Sequence, residues 1–205
     1  MKKRIIYIVS YFFTLLLLFV IQKPLFMLYN DAVGKEVSVN DFWQVMWHGV
    51  SLDATTAGYL TALPLLVILV SIWIRKISLK KLLLPYYILV AILVSVVFVV
   101  DMGLYPFWGF KLDASIFLYL DSPKEAMASV SVGFIVIRIF AMLVWAIGMV
   151  WMMMKVTPYT LEKVEKRVLG TLGGLLCGGL LFVVIRGGVT ESTSNVGQVY
   201  FSSNQ

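Results

Sequence analysis

The chain has 205 residues, of which 60% are hydrophobic and 14% charged, with 17 Lys and Arg against 11 Asp and Glu for a net charge of +6. A water-soluble domain is nearer half apolar and a quarter charged, so an ordinary soluble fold is excluded; the basic residues lie between apolar runs and not on one soluble face, which excludes nucleic acid as a partner. A single cysteine, Cys177, and a single histidine, His48, exclude a disulfide framework, a zinc cluster and a haem held by two histidines.

Taken in chain order, the apolar runs predict five membrane-spanning helices. Met1-Lys2-Lys3-Arg4 precedes an apolar run that is too long for a cleaved signal peptide and has no small-residue cleavage site after it. It reads as an uncleaved first span over 5–28, with Lys23-Pro24 at its outer end or at a kink. Residues 30–53 read as a polar connection. Within it Phe42, Val45 and Met46 recur at helical spacing, and Trp43 and Trp47 suit the headgroup level, which predicts a short interfacial helix. The second span covers 54–74, a basic turn follows, and the third span covers 82–100. Residues 101–129 read as a second outer segment whose Gly103, Pro106 and Gly109 suit turns. Ser122-Pro123-Lys124-Glu125 has the form of a helix start with Ser122 as N-cap. The fourth span covers 130–154 and the fifth 168–185.

The fold class expected is therefore all-α, a polytopic membrane bundle of about five transmembrane helices with short interfacial helices. Its domains are a transmembrane unit over 1–185 and an extracytoplasmic linker over 186–205. Eleven of the 17 Lys and Arg fall before the first span, between the second and third, or between the fourth and fifth. That asymmetry places the N-terminus in the cytoplasm and, with an odd number of spans, the C-terminus outside.

Chemistry carried by this chain alone is not expected. No P-loop, HExxH or CxxC occurs, and one histidine is too few for a histidine phosphatase pair. The expected catalytic, cofactor and metal residues are none. Arg138 lies inside the fourth apolar run. It reads either as a contact to an anionic lipid headgroup or outer carboxylate, or as a side chain snorkelling to water. Trp43, Trp47 and Trp108 read as interface contacts. Asp101 and Asp113 flank the aromatic outer segment and Asp53 opens the second span, as an acidic rim or as caps and solvated loop charge. Gly170, Gly174 and Gly178 repeat at i, i+4, i+8 and predict close helix packing. Cys177 within that region and the methionines over 149–154 read as packing groups.

The last twenty residues are polar, turn-rich and too poor in apolar groups to fold alone. The five-helix layout resembles a known family, as do the stretches Trp47-His48-Gly49-Val50-Ser51-Leu52-Asp53, Asp113 to Glu125 and Asn195-Val196-Gly197-Gln198-Val199-Tyr200-Phe201-Ser202. The likeness is to the membrane region of bacterial sulfatase-like transferases, and in particular of lipoteichoic acid synthase family phosphoglycerol transferases of the Bacteroidetes type. The resemblance implies a longer protein of the bacterial inner membrane. Its spans anchor an extracytoplasmic alkaline-phosphatase-like domain, which holds a divalent metal such as Mn or Zn and acts on a lipid-linked donor. No catalytic residue of such a domain lies in these residues, so the expected partners are membrane lipids and that missing domain. A stand-alone assembly or binding subunit is the alternative. A small transporter, a third class, lacks the paired broken helices it would need.

Overall fold

The computed structural model describes residues 1–30, 39–74, 78–108, 131–159, 161 and 164–187. The described residues form five helices and no strand: α1 Lys2–Asn30, α2 Val39–Val70, α3 Leu79–Trp108, α4 Val132–Val156 and α5 Arg167–Arg186. All five are long and apolar enough to cross a membrane. Helices are what such a sequence must form there, since hydrocarbon offers no partner to an unpaired backbone N–H or C=O.

Each helix carries a long stretch free of charge, over 5–22, 54–74 (which runs past the end of α2 into the following turn), 82–100, 139–154 and 168–185. These 16 to 21 residues are about 24–32 Å long at 1.5 Å per residue, which matches the hydrocarbon thickness of a bilayer. Successive helices run antiparallel. Arg4 at the start of α1 meets Ser71 just past the end of α2, while Lys23 late in α1 meets Asp53 near the middle of α2. The start of α1 and the end of α5 lie at opposite ends of the bundle, because Gly170 packs beside Met1 and Gly58 beside Ile185. We call them the near end and the far end.

The core is the stack of α1 between α2 and the α3–α4 pair, with α5 lying mainly against α2. Tyr7, Tyr11, Leu15 and Leu18 of α1 are buried with Leu83, Tyr87 and Ala91 of α3 and with Met149 and Met153 of α4. At the near end the hydroxyls are chained. Thr157 Oγ1 donates to the Met153 carbonyl at 2.7 Å, so it accepts from Tyr87 at 2.8 Å, and Tyr87 in turn accepts from Tyr7 at 2.7 Å. Arg4 is buried there and donates to both the hydroxyl and the carbonyl of Ser71. Outside the core, Lys80, Lys155 and Arg167 lie over the rings of Tyr159, Trp151 and Trp73, an arrangement that holds cations at an aqueous boundary beside apolar surface.

Four features differ from the sequence reading. The amphipathic segment with Phe42, Val45 and Met46 is not a separate interfacial helix but the first turns of α2. Lys23 and Pro24 lie within α1, which continues to Asn30. Residues 101–108, expected as turns, are the last two turns of α3, with Gly103 and Pro106 inside it. Asp53 therefore lies inside α2 and opens no helix. In each case the helix continues past its charge-free stretch, and over the first two turns beyond it neighbouring helices stand at the same height and support it. The N-cap of α4 is Ser131, whose side chain accepts from the Phe134 N–H; the expected cap Ser122 lies outside the described residues. The chain leaves α5 through Gly187 at φ 88°, a left-handed C-cap conformation that favours glycine.

The glycines of α5 lie along α2. A Cβ at Gly174 would strike Leu69 Cδ2, one at Gly170 would come within 3.0 Å of Val164 and 3.7 Å of Ile72, and one at Gly178 within 3.6 Å of Leu65.

One polar contact shows how a proline is tolerated within a span. Pro64 has no N–H, so the Leu60 carbonyl four residues earlier loses its helical partner. The Tyr86 hydroxyl of α3 donates to that carbonyl at 2.7 Å. Tyr86→Phe is expected to lower stability by about 1–3 kcal/mol, the cost of a buried unpaired carbonyl. In a Pro64→Ala background, where the residue-64 N–H returns, the same change should cost less; thermal unfolding of the four proteins in detergent measures the difference.

Candidate functional site

At the far end the charge-free stretches finish at Lys23, Asp53, Asp101, Arg138 and Arg186, with Lys23 and Asp53 in contact and Asp101 at the same cavity. Beyond these residues α1, α3 and α4 continue for two turns and α2 for 14 residues, about 21 Å. The far end is thus a collar of helices standing on a ring of charge.

Two contacts organise the ring. In the first, Lys23 Nζ is paired with Asp53 Oδ2, joining α1 to α2, and the two side chains are only 16% and 13% exposed. The Lys23 stem reaches Asp53 by crossing the backbone of α2 at Gly49, one turn earlier. A Cβ there would collide with Lys23 Nζ and Cε. Gly49 and Asp53 thus form one device in the Trp47 to Asp53 stretch: the glycine opens the path and the carboxylate receives the ammonium.

In the second, Arg138 of α4 donates through Nη2 to the Tyr29 hydroxyl of α1. Its guanidinium lies 4.7 Å from the Tyr29 ring centre and 4.6 Å from that of Phe134. Gly103 of α3 leaves room for it, since a Cβ there would sit 3.2 Å from Nε. That Nε is buried without a hydrogen-bond partner. Arg138 therefore neither snorkels freely nor meets a carboxylate in these contacts. It fills the junction of α1, α3 and α4.

Between these contacts lies a cavity of about 370 Å³ framed by α1, α2 and α3. Phe19, Gln22, Lys23 and Phe26 line it from α1, Asp53 and Thr56 from α2, and Leu93, Val94, Val97, Phe98 and Asp101 from α3. The Gln22 amide nitrogen is buried without a partner. Asp101 and Gly103 are two residues apart on α3, about 200° around the helix. The first lines the cavity while the second takes Arg138, so the cation stands on the opposite side of α3 from the carboxylate.

Of the residues expected at the site, Asp101 is at the cavity and Arg138 is in the neighbouring junction. Trp43 and Trp47 are on the collar of α2, 65% and 80% exposed. Asp113 and the Trp108 side chain lie outside the described residues, and so do residues 188–205. Gln22, Lys23 and Gly49 were not singled out, because no local pattern marks a lysine at the end of one span as the partner of an aspartate thirty residues later. Equal depth on antiparallel neighbours is the signal that could have found them. Among the described residues no group of three His, Cys, Asp or Glu side chains comes together to hold a metal.

Comparison of the chain with protein-family models, with curated proteins and with solved structures yields no match.

The ion pair has a testable asymmetry. Asp53→Asn leaves the Lys23 ammonium largely buried without its counter-charge, and we expect a loss of about 1–3 kcal/mol. The double change Lys23→Met with Asp53→Leu should recover most of it, because no uncompensated charge remains. Gly49→Ala should resemble Asp53→Asn, since it displaces the lysine by contact. Chemical denaturation in mixed micelles compares the three.

Proposed function

We propose that the chain is the membrane module of a sulfatase-like transferase or ester hydrolase, one that anchors an extracytoplasmic catalytic domain and presents a lipid-linked substrate to it. The residues that resemble the lipoteichoic acid synthase family motivate the choice of parent. The observation that carries the reading is the position of the α5 exit. Ile185, the penultimate residue of α5, packs on Gly58, about one turn from the cavity residues Asp53 and Thr56. Whatever follows Gly187 starts at the far end, with α2 between it and the recess, since Gly58 and Thr56 are two residues apart, about 200° around the helix.

In this reading the chain belongs to the bacterial inner membrane, with the near end in the cytoplasm. The near end carries Lys2, Lys3, Arg4, Lys80, Lys81, Lys155, Lys166 and Arg167, in line with the bias of cytoplasmic segments towards Lys and Arg. The divalent metal of the parent enzyme belongs to the absent domain, and no step is assigned to it in these helices. What these helices supply is position: a substrate head held at the charged ring lies within reach of a domain tethered there. The alternative of an assembly subunit packed through the glycines of α5 finds Gly170, Gly174 and Gly178 already applied to α2.

An antibody against the collar of α2 tests the anchor on membranes of the native host. The expected product is a polypeptide much larger than the 23.1 kDa of this chain, whose phosphodiester or sulfate ester cleavage is lost on chelation of divalent metal. A stable 23.1 kDa product as the sole species contradicts the proposal.

A further inference from the structure

We propose that the side of α2 carrying Trp43, Trp47 and Val50 is the seat of the extracytoplasmic domain that follows α5, which docks there and so stands at a fixed place above the charged ring. The assignment rests on the anchor reading for the identity of the occupant. The surface itself is set by the geometry of α2 and α5.

Continuity with an interface already in place picks out this side. α5 lies along α2 in a regular antiparallel register: Gly170 faces Ile72, Gly174 faces Leu69, Gly178 faces Leu65 and Ile185 faces Gly58. Among the described residues the contact ends there, because α5 stops at Arg186 while α2 extends back to Val39. Trp47 lies 11 residues before Gly58, about three turns, which brings it within about 20° of the same side. Trp43 stands one turn further along that side, and Val50 flanks both. The face that α5 covers within the membrane is thus carried on beyond it by two tryptophans and a valine. The opposite side of α2 is already occupied, since Lys23 of α1 crosses it at Gly49.

Height decides against lipid as the cover. Asp53 marks the end of the charge-free stretch of α2, and Trp47 and Trp43 lie about 9 Å and 15 Å beyond it at 1.5 Å per residue. Both are past hydrocarbon, and Trp43 is past a headgroup layer about 5–8 Å deep. Trp47 is nonetheless the most exposed large apolar side chain among the described residues. A cluster of such groups in water marks a surface that a partner covers. Trp43 is held edge-on against Phe42, and a cavity of about 500 Å³ lies along the same turns, lined by Trp43, Gln44, Met46, Trp47, His48 and Val50. Rigid aromatic anchors beside a cavity are the make-up of a protein-binding centre. The covalent connection then selects the partner. The chain leaves α5 through the left-handed cap at Gly187, and Ile185 faces α2 about 12 Å from the level of Val50. A domain joined there by a short connection is held at an effective concentration on the order of millimolar, whereas a separate protein must reach the face by diffusion.

Photo-crosslinking in membranes tests the seat on the protein that the gene encodes in its natural reading frame. Benzoylphenylalanine is placed singly at position 47, at position 50 and, as a control, at position 59, where the exposed Tyr59 lies within the charge-free stretch of α2. Crosslinked peptides are identified by mass spectrometry. Positions 47 and 50 are expected to join sequence C-terminal to Gly187 within one polypeptide, and position 59 is expected to capture none of it. At position 50, the added changes Trp43→Ser and Trp47→Ser should cut the yield about tenfold, since aromatic anchors carry most of such an interface. Both side chains are exposed, so the helix beneath them stays folded. Four outcomes on a polypeptide much larger than 23.1 kDa overturn the seat and leave the anchor reading standing: capture at position 47 of lipid alone, of a second copy or of a separate protein, or equal capture of the C-terminal sequence at position 59. A sole 23.1 kDa product overturns both.

Discussion

The thickness of hydrocarbon is the constraint on which this fold depends. Five stretches of 16 to 21 uncharged residues fix where each helix can lie along the bundle, because charged side chains at their ends must reach water or one another. That single requirement aligns Lys23 with Asp53 and Arg138 with Tyr29 at the far end, and Arg4 with Ser71 at the near end. The same lack of water explains the interior. Ser71, Thr61, Thr157 and Thr171 each donate to a carbonyl three or four residues earlier in their own chain. In three of these residues the oxygen then accepts from a neighbour, Arg4, Tyr87 or Trp73. Local hydroxyl bonds thus become interhelical ones without leaving a donor unmatched.

The two ends of the bundle are built for different purposes. The near end is closed: Tyr7, Tyr87 and Thr157 tie α1, α3 and the residue after α4 together, and cations lie over aromatic rings around the rim. The far end, among the described residues, holds a recess. Glycines at 49 and 103 admit the long cationic side chains of Lys23 and Arg138 between helices, the first at the recess and the second behind α3 from it. A bundle selected only for packing would place apolar side chains there, since an ion pair removed from water adds little net stability. The presence of Lys23, Asp53, Asp101 and Gln22 at one cavity is what makes the far end the candidate site.

The spans were legible in the sequence because apolar run length needs no knowledge of partners. Each expected span falls within the helix found, except that the second runs on into the turn over 71–74 and the fourth begins before Val132. The collar was not legible. Its residues include Trp43, His48, Gly103 and Pro106, whose local preferences suit interfaces and turns, yet they lie within α2 and α3. The site was legible in part. Arg138 drew notice as a charge within an apolar run, and Asp101 as a charge at its edge. Their surroundings did not: that Tyr29 meets Arg138 and that Gly49 lies under Lys23 follows from which helices are neighbours, and no periodicity records that.

The central claim is that the ring of Lys23, Asp53, Asp101 and Arg138 and the basic near end lie on opposite faces of a bilayer. Single-cysteine labelling addresses it most directly. With Cys177 replaced by alanine, one cysteine is placed at Trp47 on the collar and, in a second protein, at Lys81 at the near end. A membrane-impermeant maleimide is then applied to intact cells. The account predicts reaction at position 47 before lysis and at position 81 only after it. Reaction of both positions from the same side would contradict it.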